Sequence, residues 1–205
     1  MQTPPRATLR RRSLRILGAL LAYGSLSAHS RYGQWMLYRK VRLIILTSRA
    51  DERNWKTGEA LANLLFQHLP TSKATYARAR EFTDIVHLLN SKQHDMALVR
   101  DIDAKEGLDG SGRFAEDGPT PLRSIARIGA YVLVTREDFE RSHAYLIAQM
   151  IEHKWSELNS FAGINQRPVP AATAPVPIHP GAAEYYADPA APAPANPLTP
   201  SETQR

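Results

Sequence analysis

Short apolar runs alternate with amphipathic helical patterns through the middle of the chain, and no other feature constrains its fold as strongly. Five runs have the length and composition of buried or half-buried strands: residues 42–47, 74–78, 95–100, 124–128 and 131–135. Helical patterns separate the first three runs, and the connections are short. Strand–helix–strand alternation of this kind predicts an α/β domain in which a mostly parallel sheet is flanked by helices.

Three helices are predicted from apolar residues that recur on one face. The first begins with a cap at Thr57, and the second begins with a cap at Thr83 or Asp84. The third runs from about residue 137 to residue 155. Glycines and prolines are concentrated in the segment 108–121, which is therefore predicted to be a loop.

The N-terminal part of the chain has a composition unlike that of the middle. In residues 1–34, a cluster of arginines precedes an uncharged stretch at 16–30 with an apolar centre, which is the layout of an export signal. That stretch is shorter than the roughly 20 apolar residues that cross a bilayer as a helix. Three alternatives stay open: a cleaved signal, an uncleaved and marginal membrane anchor, and a basic tail on a cytosolic protein.

Proline is concentrated at the other end, where ten of the chain's 15 prolines follow residue 167. Proline lacks a backbone donor and fixes φ, so neither a helix nor the interior of a sheet accepts this density. We expect residues 187–205 to form a disordered tail, because their composition offers no core pattern. The remaining residues, 35–186, are then expected to form one globular domain.

The distribution of charge argues against a nucleic-acid partner. The chain has 26 Lys and Arg against 20 Asp and Glu, but no acidic residue precedes Asp51, whereas ten basic residues do. From Asp51 onward, 16 basic residues face 20 acidic ones, which gives a net charge of −4. A domain with this balance lacks the excess of cations that binding to a phosphate backbone requires. The absence of cysteine excludes disulfides and thiolate metal sites.

Polar and basic residues lie where the predicted strands end. In open α/β sheets a ligand binds beyond the carboxyl ends of the strands, and a helix N-terminus at that edge attracts anions. Six residues are predicted to form a ligand site there: Thr47, Ser48, Arg49, Arg80, Thr83 and Arg100. The arginines predict a small carboxylate or phosphate ligand. The alternative is that they are solvated loop charges.

No catalytic or cofactor-binding motif is present. The chain lacks the glycine-rich phosphate and dinucleotide loops, the H-E-x-x-H metal motif and the G-x-S-x-G nucleophile motif. His87 and His94 form no recognisable metal signature with their neighbours. We therefore expect no enzyme activity, no metal site and no cofactor.

Three segments carry a resemblance to a known family. Segment 82–99 (FTDIVHLLNSKQHDMALV) is similar to a helix, polar turn and strand of the D-L-A-[IL]-V type. Segment 131–147 is similar to a later strand and long helix, and segment 178–186 (IHPGAAEYY) matches a closing H-P-G-A-x-x-Y-Y element. Together these segments resemble the TAXI class of extracytoplasmic solute receptors of TRAP transporters, in the periplasmic-binding-protein superfamily. The glycine-rich first loop of that family is replaced here by residues 47–58, of which Gly58 alone matches.

The resemblance implies a function as well as a fold. Members of the family have a second lobe between the segments that match 122–129 and 131–135, which are almost contiguous here, so the resemblance implies a single lobe. It also implies a periplasmic protein, either free or anchored to the inner membrane by an uncleaved N-terminal segment, that binds a small carboxylate solute and contacts a membrane transporter subunit. The alternative is a cell-envelope interaction or scaffold module that keeps the receptor fold without capturing solute and docks another envelope protein.

Overall fold

The computed structural model of the protein describes residues 42–162, 169–170 and 174–190. Its strands are β1 (Ile44–Ser48), β2 (Thr75–Ala79), β3 (Met96–Arg100), β4 (Leu122–Ile128), β5 (Tyr131–Arg136) and β6 (Val169–Pro170). Its helices are α1 (Glu52–His68), α2 (Phe82–Asn90), α3 (Asp101–Asp109), α4 (Arg141–His153), α5 (Trp155–Ala162) and α6 (Pro180–Ala187). Two short 3-10 helices occupy Pro70–Ser72 and Gly112–Phe114.

Within the described residues the strands form one mixed sheet in the order β2-β1-β3-β5-β4-β6. β1 is parallel to β2 and β3, whereas β5 is antiparallel to β3 and β4, and β6 is antiparallel to β4. The α/β class with flanking helices is confirmed, but the sheet is mixed instead of mostly parallel. The reason is the connection between β4 and β5, which consists of Gly129 and Ala130. Two residues suffice for a hairpin, whereas a parallel crossover needs about a dozen.

Two helices begin earlier than the sequence predicts. Asp51, instead of Thr57, caps α1, because its carboxylate accepts a hydrogen bond from the backbone N–H of Asn54 at 3.1 Å. Thr57 lies inside α1, where its hydroxyl donates to the carbonyl of Arg53 at 2.7 Å. Helix α2 follows Glu81, so neither Thr83 nor Asp84 is its cap.

Helix α3 is not predicted from the sequence, and it overlaps the first two residues of the predicted loop at 108–121. Its buried residues are Asp103, Ala104 and Gly107, so it has no apolar stripe to reveal a helical period. Gly110 ends the helix in the left-handed conformation, with φ of +61°.

The helix predicted over 137–155 corresponds to α4, which begins four residues later than predicted, while the predicted last residue, Trp155, begins α5. Residues 137–140 instead form a turn after β5, in which the N–H of Phe139 donates to the carbonyl of Arg136 at 3.2 Å. Helix α4 then begins at Arg141, and α5 begins one residue after Lys154, the C-cap of α4.

The core lies on both faces of the central strands. Every residue of β1 and β5 is buried, and strands covered on both faces require the continuous apolar runs that the sequence shows. Helix α1 packs against β1 at Gly58, where a Cβ atom would lie only 2.2 Å from Cγ2 of Thr47. The helix therefore approaches the strand more closely than any residue larger than glycine allows.

The predicted export segment 1–34 lies outside the described residues. Of the predicted disordered tail 187–205, only residues 187–190 are described, and Ala187 is the last residue of α6. Among the helices of the described ranges, none has both the length and the apolarity needed to cross a bilayer.

Candidate functional site

A cleft of about 750 Å³ opens at the carboxyl ends of β1 and β3. Its lining residues come from the starts of the first three helices and from the segment after α3: Ala50, Asp51, Glu52, Arg53, Lys56, Glu81, Phe82, Arg100 and Arg113. Asp51, Glu81 and Arg100 are the N-caps of α1, α2 and α3. The cleft therefore lies at the edge of the sheet where each of the three parallel strands is followed by a helix. The sequence predicts a ligand site at this edge.

Asn54 fixes the start of α1 at this edge. Its side-chain oxygen accepts from the backbone N–H of Ser48 at 2.7 Å, and its Nδ2 donates to the carbonyl of Leu98 at 2.9 Å. The side chain is fully buried, so these bonds join the ends of β1 and β3 to the helix without competition from water.

A buried carboxylate holds two arginines at the cleft. Asp103 is fully buried, and Nε of Arg100 donates to its Oδ2 at 2.7 Å while Nη2 of Arg113 donates to its Oδ1. The hydrogen bond from Arg100 to Asp103 raises the pKa of Arg100, so its charge is permanent. A buried carboxylate is stable only when paired and hydrogen-bonded. Nε of Arg113 also lies 3.4 Å from Oε2 of Glu106, so Asp103 and Glu106 together hold the two guanidinium groups in place.

An aromatic ring restrains the same guanidinium. Cζ of Arg100 lies 4.3 Å from the ring centroid of Phe82, the first residue of α2. Stacking on an aromatic face and pairing with Asp103 together restrict the rotamers of Arg100 before any ligand arrives. The side chain is therefore pre-organised at the cleft.

Asp51 is engaged within the protein. The hydroxyl of Tyr131 donates to its carboxylate, with oxygen–oxygen distances of 2.9 and 2.8 Å. Burial, together with this hydrogen bond, raises the pKa of Tyr131 far above its usual value, so the phenol keeps its proton. Since Asp51 also caps α1, its carboxylate oxygens are engaged in hydrogen bonds within the protein.

The remaining charged residues of the cleft differ in whether they are paired. Nζ of Lys56 lies 2.7 Å from Oε1 of Glu52 in an exposed pair one helical turn apart. The side chains of Arg53 and Glu81 make no hydrogen bond or ion pair with another residue in the described part of the chain. Arg53 is exposed, so its guanidinium is available to a ligand.

Of the six predicted site residues, Arg100 lines the cleft. Thr47 and Ser48 are fully buried in β1: the Thr47 hydroxyl donates to the carbonyl of Ala77 at 3.1 Å, and the Ser48 hydroxyl accepts from the N–H of Ala50 at 3.3 Å. The Thr47 hydroxyl therefore joins β1 to β2, the Ser48 hydroxyl stabilises the turn after β1, and neither side chain is open to a ligand. Arg49 is exposed and precedes the lining residue Ala50.

The last two predicted residues lie beside the cleft. Nε of Arg80 pairs with Oδ2 of Asp84 at 3.3 Å on the exposed surface, and Thr83 is half-buried in the first turn of α2. Arg53, Lys56 and Arg113 are the basic lining residues that the sequence-based prediction misses. The i, i+3 spacing of Arg100 and Asp103 is a detectable signal for one pair, but nothing in the sequence indicates that Arg113 returns to the same carboxylate.

Among the described residues, no group of three or more His, Cys, Asp or Glu side chains is placed to hold a metal ion.

Comparisons with known proteins assign no family to the chain. The resemblance to TAXI receptors stays a prediction from the sequence. No protein-family model matches the chain, and no curated protein matches it.

Proposed function

We propose that the domain binds a small anion, with carboxylates as the expected class, in the cleft lined by Arg53, Arg100 and Arg113. The observation that carries the proposal is the pre-organised guanidinium of Arg100. It is held by the buried Asp103 and stacked on Phe82 at an open cleft.

The chemistry of the guanidinium suits a carboxylate. Arginine has five N–H donors in a planar fork that matches two carboxylate oxygens. Arg100 directs its Nε and one Nη2 donor to Asp103, at 2.7 and 3.3 Å, which leaves its other donors for a ligand. Since its side chain is already ordered, binding costs less conformational entropy than binding to a free arginine would.

The proposed affinity is modest. The cleft is open and Arg53 is exposed, and exposed ion pairs contribute only about 0–1 kcal/mol each. We therefore expect dissociation constants near the millimolar range, which corresponds to roughly −4 kcal/mol. Tight capture would require a second wall over the cleft, which a partner could supply.

A titration of the full chain with succinate, monitored by NMR at constant ionic strength, tests the proposal. Arg53→Gln removes an exposed cleft cation that has no ion pair among the described residues, and we expect it to weaken binding about threefold, in line with an exposed ion pair. Lys73→Gln is the matched control, because Lys73 is also exposed and precedes β2, at the opposite edge of the sheet. Saturable binding that Arg53→Gln weakens and Lys73→Gln leaves unchanged supports the proposal. The absence of saturable binding at tens of millimolar succinate would overturn it.

We also propose, from the resemblance to TAXI receptors, that the protein is a periplasmic solute receptor that presents a carboxylate to a transporter subunit. The mass of the mature chain from its native host tests export, because a cleaved signal shortens the chain by a defined segment. The alternative, an envelope interaction module, predicts a stoichiometric protein partner whose binding does not respond to solute. Recovery of such a partner from envelope extracts, with and without succinate, separates the two.

A further inference from the structure

The imidazole of His179 is hydrogen-bonded at both nitrogens in a buried site at the start of α6. Nδ1 accepts from the backbone N–H of Gly181 at 3.2 Å, and Nε2 donates to the carbonyl of Phe139 at 3.0 Å. The residue is only 2 % exposed. An acceptor at one nitrogen and a donor at the other require the neutral ring with its proton on Nε2. The N-cap of α6 therefore depends on a histidine that is uncharged.

His179 lies within a segment that closes over β4 and α4, which we call the C-terminal clasp (residues 176–187). The N–H of Ser124 in β4 donates to the carbonyl of Pro177, and the N–H of His179 donates to the carbonyl of Ser124, both at 2.8 Å. Tyr185 packs edge-to-face on Tyr145 of α4, with ring centroids 5.4 Å apart. The clasp is thus fixed to the sheet by backbone hydrogen bonds and to α4 by aromatic packing.

The clasp meets α4 at unusually close range beside His179. A Cβ atom on Gly181 would lie 2.0 Å from the carbonyl oxygen of Arg141. The exposed pair between Nε of Arg141 and Oε2 of Glu184, at 2.8 Å, joins the same two helices. A change in the position of α6 at its first turn therefore disturbs the whole contact with α4.

The charged groups around His179 come from β4 and from the start of α4. Burial, aided by the positive charges of Arg123 and Arg141, lowers the pKa of His179 from its usual value, and it outweighs the opposing effects of the Phe139 carbonyl and Glu140. At the far end of the clasp, the ring of His153 in α4 lies 6.1 Å from that of Tyr185. His153 and His143, the latter with its ring 6.0 Å from that of Phe139, are the other titratable rings that a test must separate from His179.

We propose that His179 is a pH-sensitive latch, whose protonation releases the C-terminal clasp from β4 and α4. A proton taken from solvent occupies the Nδ1 lone pair, so the ring loses its bond from the N–H of Gly181 and turns a donor toward another donor. The new positive charge lies at the N-terminus of α6, where the helix dipole disfavours cations, and close to two arginines.

The direction of the pH effect follows from linkage. The docked clasp lowers the pKa of His179 below the usual value of 6.5, so the released state binds the proton more strongly. Docking is at full strength above about pH 6.5 and weakens as the pH falls below it. Because one proton is taken up, the equilibrium constant for release rises by at most about tenfold per pH unit.

Hydrogen exchange of the full chain, measured by mass spectrometry at about pH 7.5 and pH 5.5, tests the latch on both sides of the usual histidine pKa. After correction for intrinsic exchange rates, we expect the protection of α6 amides to fall severalfold or more while that of β1 is unchanged. In His179→Asn, the asparagine oxygen accepts from the Gly181 N–H and does not titrate, so the fall is abolished. In His153→Gln and in His143→Gln, each of which removes another ring near the clasp, the fall is retained.

Two results would overturn the latch: α6 protection that changes with pH in parallel with β1, or a fall in His179→Asn as large as in the natural chain. If His179→Asn does not fold, an NMR titration of the natural chain decides the matter. A His179 pKa below that of the exposed His143 supports the latch, and an equal or higher one rejects it.

Discussion

The phenol of Tyr131 and the carboxylate of Asp51, which are 80 positions apart in the chain, are joined by hydrogen bonds of 2.8 and 2.9 Å. Tyr131 is the first residue of β5 and is paired in register with Arg100 of β3, while Asp51 caps α1. The antiparallel half of the sheet thereby stabilises the helix start that borders the cleft. This contact joins β5 to the start of α1, whose first residues line the cleft.

Removal of this phenol hydroxyl is expected to destabilise the fold. A hydrogen bond to a charged group contributes about 1.5–3 kcal/mol, and Tyr131→Phe leaves Asp51 with the N–H of Asn54 as its remaining donor. We expect the free energy of unfolding to fall by about 2 kcal/mol in urea denaturation of the full chain. Tyr76→Phe is the control, since its hydroxyl also bonds a carboxylate, Glu59 at 2.9 Å, but on the less buried edge strand β2. Equal losses of unfolding free energy in the two variants would show that the hydrogen bond of Tyr131 contributes no more to stability than that of Tyr76.

We expect the free energy of unfolding to be sensitive to substitution of Asp103, which is fully buried and bonded to two arginines. Asp103→Asn removes the carboxylate that Arg100 and Arg113 share and leaves Arg113 with Glu106, and each hydrogen bond to a charged group contributes about 1.5–3 kcal/mol. We expect a loss of about 3 kcal/mol in the free energy of unfolding. Asp109→Asn on the same helix breaks only the exposed pair with Lys105 and should cost below about 1 kcal/mol. A small effect of Asp103→Asn would mean that the two arginines are not held by this residue.

Apolar patterning accounts for most of the fold that could be predicted. The five longer strands and the faces of α1, α2 and α4 follow from runs and periods that burial imposes on the sequence. The sequence does not predict helix α3 because its buried face contains a charged residue, Asp103, whose burial depends on Arg100 one turn earlier and on Arg113 beyond the helix. The prediction of a mostly parallel sheet is wrong because the direction of a strand depends on the length of the connection before it. The two-residue connection at Gly129 permits only an antiparallel hairpin.

The cleft lies at the edge that the sequence indicates, but few of the six predicted residues line it. Strand ends and helix starts indicate this edge, since βα connections place them there in every parallel pair. Which polar groups face the cleft depends on side-chain hydrogen bonds that no spacing reveals. Thr47 and Ser48 lie at the predicted edge, yet their hydroxyls bond to backbone groups of neighbouring residues and strands.

The close approach of α1 to β1 makes a third prediction. Gly58→Ala places a methyl group 2.2 Å from Cγ2 of Thr47, so we expect a net loss of about 1–3 kcal/mol, although alanine is intrinsically better in helices by about 1 kcal/mol. Thr47→Ser removes that methyl and keeps the hydroxyl that bonds Ala77. The double variant should therefore recover most of the loss in a double-mutant cycle of urea unfolding. Additive losses would show that the methyl of Thr47 is not what excludes a larger residue.

The hydrogen bond between His68, at the end of α1, and Glu157 of α5 predicts that the stability of the fold depends on pH in the acid range. Nε2 of His68 lies 2.7 Å from Oε2 of Glu157, and this bond, with help from Lys154, lowers the pKa of Glu157 below its usual value of 4.5. A lowered carboxyl pKa stabilises the fold above about pH 4.5, and that contribution is lost as the pH falls through the folded-state pKa. The urea midpoint of the natural chain should therefore exceed that of Glu157→Gln at pH 6, by a small margin because the site is exposed, and the two should converge in acid. Glu116→Gln, at an exposed position without an ion pair in the described ranges, should match the natural chain at every pH. A difference between the natural chain and Glu157→Gln that persists undiminished in acid would assign the contribution of this residue to packing.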